Sequence, residues 1–392
     1  MTMAPHAKQR TIFATLALLA VLAAGAITTR YFASSPPPAD PDEVVRSVTE
    51  GIRACQAAER TLSCYRALAT RLFGEYALPD IFSAVETAER DPDVLEGCHS
   101  LMHFTGQAAY LASRNVSQSL GNGNPVCFAG YYHGVLEEYL TERRADAEDP
   151  KTRAEIPGLC EPVREQSQKR YNECLHGLGH ALMFLTDTDL PESLRLCDLL
   201  PSAGEQNWCY SGVFMENSTS ATNREHPSPY LKPEDPLYPC TILDERYLTM
   251  CYTLQSFYFA ELEKYDWERT AAWCMKVPDA YRPGCFHAIG QTQVGFTQDE
   301  KLMVTNCSLM PTDDGRTMCI RGAAGSLFER YNDGLGRMLA LCAVTNGEDA
   351  NACYRTFVDT MRMTGISADE RATLCARVPE DLRAKCAAGT EN

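Results

Sequence analysis

Positive charge is in short supply in this chain: 36 lysines and arginines stand against 52 acids, a formal net charge of −16 over 392 residues. That balance argues against nucleic acid as a partner and against docking on anionic lipid. Glycine-rich phosphate loops are absent, as is any alternation of strand and helix patterns, so nucleotide-dependent chemistry is disfavoured. No His-Glu-x-x-His motif occurs, which removes the glutamate general base of the zinc peptidases. No Cys-x-x-Cys-His occurs either, which removes covalently attached c-type haem. Serines beside histidines, such as Ser100, belong to no nucleophile elbow or ordered triad. Histidine itself is sparse, with eight in the whole chain, and only one long apolar run is present.

That run extends from Thr11 to Thr29 without a charge, behind a tail that carries Lys8 and Arg10 and no acid. As a helix it would rise about 28 Å, close to the thickness of a bilayer core. The expectation is an uncleaved signal anchor at 11–29 with a cytoplasmic tail at 1–10 and the bulk of the chain exported. Cleavage at Ala24-Gly25-Ala26 would instead give a secreted protein. Residues 30–44, with Pro36-Pro37-Pro38, read as a stiff spacer, and residues 45–392 as one repeat domain.

All eighteen cysteines lie beyond the apolar run, an even number in an exported chain, so disulfides are the default. From Cys160 onward they follow one phrase: a cysteine, then 11 to 14 positions later a second. The pairs are Cys160/Cys174, Cys197/Cys209, Cys240/Cys251, Cys274/Cys285, Cys307/Cys319, Cys342/Cys353 and Cys375/Cys386. Second cysteines recur at spacings of 35, 42, 34, 34, 34 and 33, the length of one helical hairpin. The spacing predicts that the first cysteine sits in the last turn of one helix and the second opens the next. Cys55/Cys64 is a shorter version. Cys98 and Cys127 each open a helix with no upstream partner, and are expected to pair with one another. A Ser-, Asn- and Pro-rich insertion at 217–239 stretches one period. The fold expected is all-α, an α-solenoid of about nine disulfide-stapled hairpins after one transmembrane helix.

With pairs such as Cys274…Cys285 and Cys307…Cys319 in each period, this arrangement resembles the secreted, disulfide-stapled Sel1-like and tetratricopeptide-type repeat proteins. The resemblance runs from about residue 45 to the C-terminus and lies in period and architecture. It implies a surface that binds a peptide or partner protein, and no functional residue carries over from it.

Five of the eight histidines fall in three successive second helices, around Cys98-His99-Ser100-Leu101-Met102-His103, Cys127…His133 and Cys174-Leu175-His176-Gly177-Leu178-Gly179-His180. Aligned on the cysteines, His103, His133 and His180 form one column and His99 and His176 an earlier one. Glu137 follows His133 by four. Each helix of the part spanning 90–190 thus presents an i,i+4 pair on one face: His99/His103, His133/Glu137 and His176/His180. A shared metal site follows, nitrogen-rich with one carboxylate, suited to zinc, copper, iron or nickel. The donors suffice for one ion or two, and a copper- or iron-dependent oxidoreductase is the enzyme class expected. Tyr131, Tyr132, Glu138 and Tyr139 flank the column as packing residues or as outer support. The earlier column has a blander explanation, because His287 stands where His176 does with Gln291 four residues on. The competing function is a scaffold without catalysis that holds a peptide or protein on its concave face; a third is pH-sensitive binding through the histidines. His6 and His226 belong to neither column.

Overall fold

Helices in this chain begin where short polar side chains cap them. Asp91 accepts a hydrogen bond from the Asp93 N–H with Pro92 in the first turn, and Asp189 accepts from the Glu192 N–H with Pro191 in the same role. Ser202 and Glu205 form a reciprocal capping box. The computed structural model describes residues 39–388, apart from 59–60, 90, 145–147, 221–226, 332, 363 and 365. Among these the chain is all-α, with no strand.

The helices in order are α1 (Pro41–Gln56), α2 (Thr61–Glu75), α3 (Leu78–Ala88), α4 (Pro92–Ser113), α5 (Val116–Gly121), α6 (Gly130–Thr141), α7 (Pro150–Glu155), α8 (Glu161–Arg164), α9 (Gln168–Leu185), α10 (Leu190–Cys197), α11 (Ala203–Thr219), α12 (Glu245–Leu262), α13 (Trp267–Cys274), α14 (Arg282–Gln293), α15 (Glu300–Cys307), α16 (Asp313–Arg330), α17 (Gly334–Val344), α18 (Gly347–Arg362), α19 (Ala368–Cys375) and α20 (Glu380–Ala387). The second helices pack in series, α4 on α6, α6 on α9, α9 on α11, and so on through α12, α14, α16, α18 and α20. Short first helices such as α10, α13 and α15 lie against them.

All eighteen cysteines are bridged. The first two bridges are Cys55–Cys64 and Cys98–Cys127. The hairpin pairs follow as Cys160–Cys174, Cys197–Cys209, Cys240–Cys251, Cys274–Cys285, Cys307–Cys319, Cys342–Cys353 and Cys375–Cys386. Their Cα atoms stand 5.3 to 5.8 Å apart, inside the range a disulfide spans. Nine disulfides suit an oxidising, extracytoplasmic environment.

The place of the cysteines within their helices differs from the expectation. The first cysteine does end its helix in α10, α13, α15 and α19. Cys342 lies in the last turn of α17, which ends at Val344, whereas Cys160 and Cys240 lie in turns outside any helix. Most second cysteines do not open the next helix. Cys174, Cys209, Cys251, Cys319 and Cys353 sit in the second turn, because winding starts well upstream of each of them. Cys386 sits at the same depth, and α20 is so short that its second turn is also its last. Cys353 and Cys386 are both fully buried, and Cys386 Sγ packs 3.8 Å from Met361 Sδ, so these two hold the core of the last hairpins together. Cys285 keeps to the expectation, in the first turn of α14. Cys98 is in the second turn of α4. Cys127 lies outside any helix, in a turn before α6 where Cys127, Phe128 and Ala129 all take left-handed backbone angles.

Two further expectations change. The insertion begins later than 217, since α11 runs to Thr219 and the buried Asn217 belongs to it. Its second part is tied down: Ser228 Oγ donates to Asn217 Oδ1 at 2.5 Å, and Gln255 donates to the carbonyls of Pro236 and Tyr238. The tail, the anchor, residues 30–38 of the spacer, His6 and His226 lie outside the described residues, while the last residues of the spacer already belong to α1. No described helix is long and apolar enough to cross a membrane.

The series also touches itself across a long sequence gap. The Arg330 guanidinium at the end of α16 lies 3.9 Å from the centre of the Phe128 ring and donates to the Leu95 carbonyl at 3.5 Å. Lys169 of α9 donates to the Glu329 carbonyl at 3.3 Å. At this contact burial pushes the Glu173 carboxyl up to about 7, helped by Glu329 and opposed by Lys169. A carboxyl raised in this way holds its proton more tightly folded than unfolded. Stability therefore falls as pH climbs from the ordinary value of 4.5 to about 7. Glu173→Gln is expected to flatten that limb and to give a higher urea midpoint than wild type at pH 8. Parallel midpoint-against-pH curves for the two proteins would show that Glu173 titrates normally.

Candidate metal centre

The three histidine-bearing helices come together because glycines let their backbones meet. A Cβ on Gly134 of α6 would stand 1.8 Å from the His103 carbonyl oxygen of α4. One on Gly177 of α9 would stand 2.8 Å from His133 Cδ2. The missing side chain at 177 is what lets the His133 ring lie against both His176 and His180, whose ring centres are 5.4 and 4.6 Å away. His133 is 3 % exposed, and its Nε2 is buried without a hydrogen-bond partner.

The partners of the other rings fix their tautomers. His180 Nδ1 donates to Glu216 Oε2 at 2.7 Å, because a carboxylate only accepts. The Ser211 hydroxyl donates to the Trp208 carbonyl at 2.6 Å and accepts from His176 Nδ1 at 2.7 Å. Each ring then aims its Nε2 at the other, 3.1 Å apart. In a neutral pair these are two facing lone pairs, which require a cation between them. Two imidazole nitrogens on one tetrahedral zinc stand about 3.3 Å apart for metal–nitrogen bonds near 2.0–2.1 Å. A shared proton would also join His176 to His180, yet it leaves His133 Nε2 unpaired. A metal ion is the one partner that could meet all three. Single donor atoms from His133, His176 and His180 lie within 4.8 Å of one another. Burial, reinforced by the neighbouring histidines, holds His133 and His176 well below their ordinary pKa, so both rings are neutral at pH 7, the form that binds metal.

No family model, curated protein or solved structure matches this chain, so the chemistry of the site is argued from its geometry.

On the other side of His133 lie His99 and His103, with ring centres 5.2 and 6.4 Å from it. His99 Nδ1 donates to the Cys127 carbonyl at 3.0 Å, so the left-handed turn at Cys127–Ala129 is also what orients this ring. Burial first, and then His103, pushes His99 down to about 4. His103 Nε2 meets Glu137 Oε2 at 2.7 Å, and Gln107 donates to the other carboxylate oxygen at 3.3 Å. For His103 burial acts downward, but the Glu137 charge outweighs it and the net shift is upward.

All six expected residues thus occupy one region, and the closest set draws on both columns. His176, from the column with the blander explanation, stands with His133 and His180. The bland explanation does hold at His287, which is largely buried and hydrogen-bonded to Gln291. The flanking tyrosines are packing residues: Tyr131 and Tyr132 are fully buried, Tyr131 donates to the Ser119 carbonyl, and Tyr139 donates to Glu155. Glu216 and Ser211 went unrecognised in the sequence. Glu216 follows the column position Met215 by one residue, so alignment on cysteines passes over it. Its signal is an acid set in the apolar stretch Val213-Phe214-Met215.

Proposed function

We propose that this is an exported, membrane-anchored α-solenoid whose function is carried by a metal ion at His133, His176 and His180. The observation that supports the reading is the buried, unpartnered His133 Nε2 beside the 3.1 Å approach of His176 and His180. The outer partners support it too. Ligating imidazoles ordinarily donate their second nitrogen to a carboxylate, a carbonyl or another acceptor, as His180 does to Glu216 and His176 to Ser211. Three imidazoles suit copper, iron or zinc. The reaction class we favour is a copper- or iron-dependent oxidoreduction. In it Glu216 and Ser211 fix ring orientation, while the walls from α4, α6 and α9 restrict access of water.

Protein purified from the exported fraction is expected to carry near-stoichiometric metal by elemental analysis. A His133→Ala, His176→Ala and His180→Ala triple variant should lose it while keeping its far-UV helix signal. Metal added at 100 times its Kd should stabilise the wild type by about 2.7 kcal/mol and leave the variant unmoved. Protein that carries no metal and takes up neither copper, iron nor zinc would sink the reading. The function would then be sought in a peptide or protein held on the inner face.

A further inference from the structure

Beyond α14 the position two residues after the second cysteine changes character. It is His176 in α9, Ser211 in α11 and His287 in α14, and then arginine twice, Arg321 in α16 and Arg355 in α18. Burial first, and then the Arg321 charge, holds His287 below its ordinary pKa, so Arg321 lies near that ring. Helices α16 and α18 pack on one another, and both arginines line a cavity of about 710 Å³ where they meet. The volume is that of a small-molecule site. Such sites are mostly apolar, whereas this lining is charged and polar, so it suits a charged ligand.

Most charges around the cavity are already matched. Arg316 meets Asp349 at 2.7 Å and Asp313 at 3.0 Å, Thr317 donates to Asp349 at 2.7 Å, and Lys385 meets Asp359 at 2.8 Å. Among the described residues, the side chains of four lining groups make neither ion pair nor hydrogen bond: Arg321, Arg355, Asp314 and Glu348. Their order repeats. On each helix the acid stands five residues before the second cysteine and the arginine two after it, Asp314 with Arg321 and Glu348 with Arg355. Seven residues are two turns, so each acid shares a face with its arginine, about 10.5 Å away along the axis. The acids lie in first turns, where helix ends favour negative charge without any ligand. The arginines lie in mid-helix, where no helix end favours them, and two guanidinium forks at one register suit a carboxylate. One turn past Arg321, Gly325 has nothing within 4 Å of its would-be Cβ, so the face stays open there.

We propose that this cavity binds a short peptide with free termini, its carboxylate on Arg321 and Arg355 and its ammonium on Asp314 and Glu348. The spacing sets the length, since an extended chain advances about 3.3–3.6 Å per residue and three residues span about 10 Å. Capture of a terminal carboxylate or amine is a recurring mode of peptide recognition. The site needs no metal and does not rest on the centre at His133, His176 and His180.

The test is calorimetric titration of the purified protein with trialanine, which is expected to bind one to one. Amidating the C-terminus of the peptide, or acetylating its N-terminus, should each weaken binding about tenfold. Dialanine is too short to join the two ends and should bind about tenfold more weakly as well. In an Arg321→Gln/Arg355→Gln variant the free and amidated peptides should bind alike. In Asp314→Asn/Glu348→Gln the free and acetylated peptides should bind alike. All four residues are exposed and make no ion pair in the free protein, so both variants should keep the wild-type urea midpoint. Trialanine that does not bind would overturn the proposal. So would trialanine that binds equally well with both ends blocked, or with both arginines replaced.

Discussion

Excess dithiothreitol, without denaturant, is expected to unfold this protein. Eight of the nine bridges close loops of 9 to 14 positions and one closes 29. Each such loop restricts the unfolded chain by about 3 kcal/mol in the chain-entropy account. Nine together come to on the order of 25 kcal/mol, against a typical net stability of about 5–15 kcal/mol. Even if the real contribution were half of this, loss of all nine would cancel the fold. The cost falls heavily here because α10, α13, α15, α19 and α20 have eight residues each, too few to persist as isolated helices. Most of the cysteines are buried, so attack will be slow and will begin at Cys55–Cys64, where Cys64 is half-buried. Far-UV dichroism should decay as free thiols, counted by alkylation and mass, approach eighteen. A fully alkylated protein that kept its helical signal would refute the expectation.

Gly134→Ala and Gly325→Ala should move stability in opposite directions. In an open helix, alanine is favoured over glycine by about 1 kcal/mol. Gly325 of α16 has nothing within 4 Å of its would-be Cβ, so that variant should gain about 0.5–1 kcal/mol. At Gly134 the new methyl meets the His103 carbonyl at 1.8 Å and the Gln107 backbone nitrogen at 3.0 Å. Those are backbone atoms and cannot turn aside. Overpacking of this kind costs about 1–3 kcal/mol, which outweighs the propensity gain. The substitution also pushes α4 from α6, so metal affinity should drop even though no ligand has changed. Paired denaturation curves and a metal titration decide the matter. Equal stabilisation by both alanines would mean that the helices are not in backbone contact at Gly134.

The hairpin period and the nine bridges were legible because both are local. A cysteine 11 positions from another on a 34-residue period needs no tertiary information. The i,i+4 histidine pairs were legible for the same reason, since one helix face is fixed by its own geometry. What alignment could not supply was the height at which neighbouring helices cross. That height depends on Gly134 and Gly177, and it seats His133 against both His176 and His180 rather than level with His180 alone. Glu216 escaped because it approaches from the facing helix, one residue off the repeat register. Helix starts were misplaced at cysteines such as Cys209, Cys319, Cys353 and Cys386 because the bridges do not determine where winding begins. Caps do so at Ser202 and Thr312, and the positive-φ Gly347 and Pro379 stand at the corresponding starts before Cys353 and Cys386.

The bridges are all short-range, so the covalent graph of the chain is a string of small rings with no tie between distant ones. The meeting of Phe128, Lys169 and Arg330 is held by packing and hydrogen bonds alone. Pulled from its ends, the protein should first part at that clasp and lengthen as an open chain of intact hairpins. Each ring would then withhold its own 9 to 29 residues from extension until a reductant is added. A protease cutting between rings would release whole hairpins, whereas a cut inside a ring would release nothing.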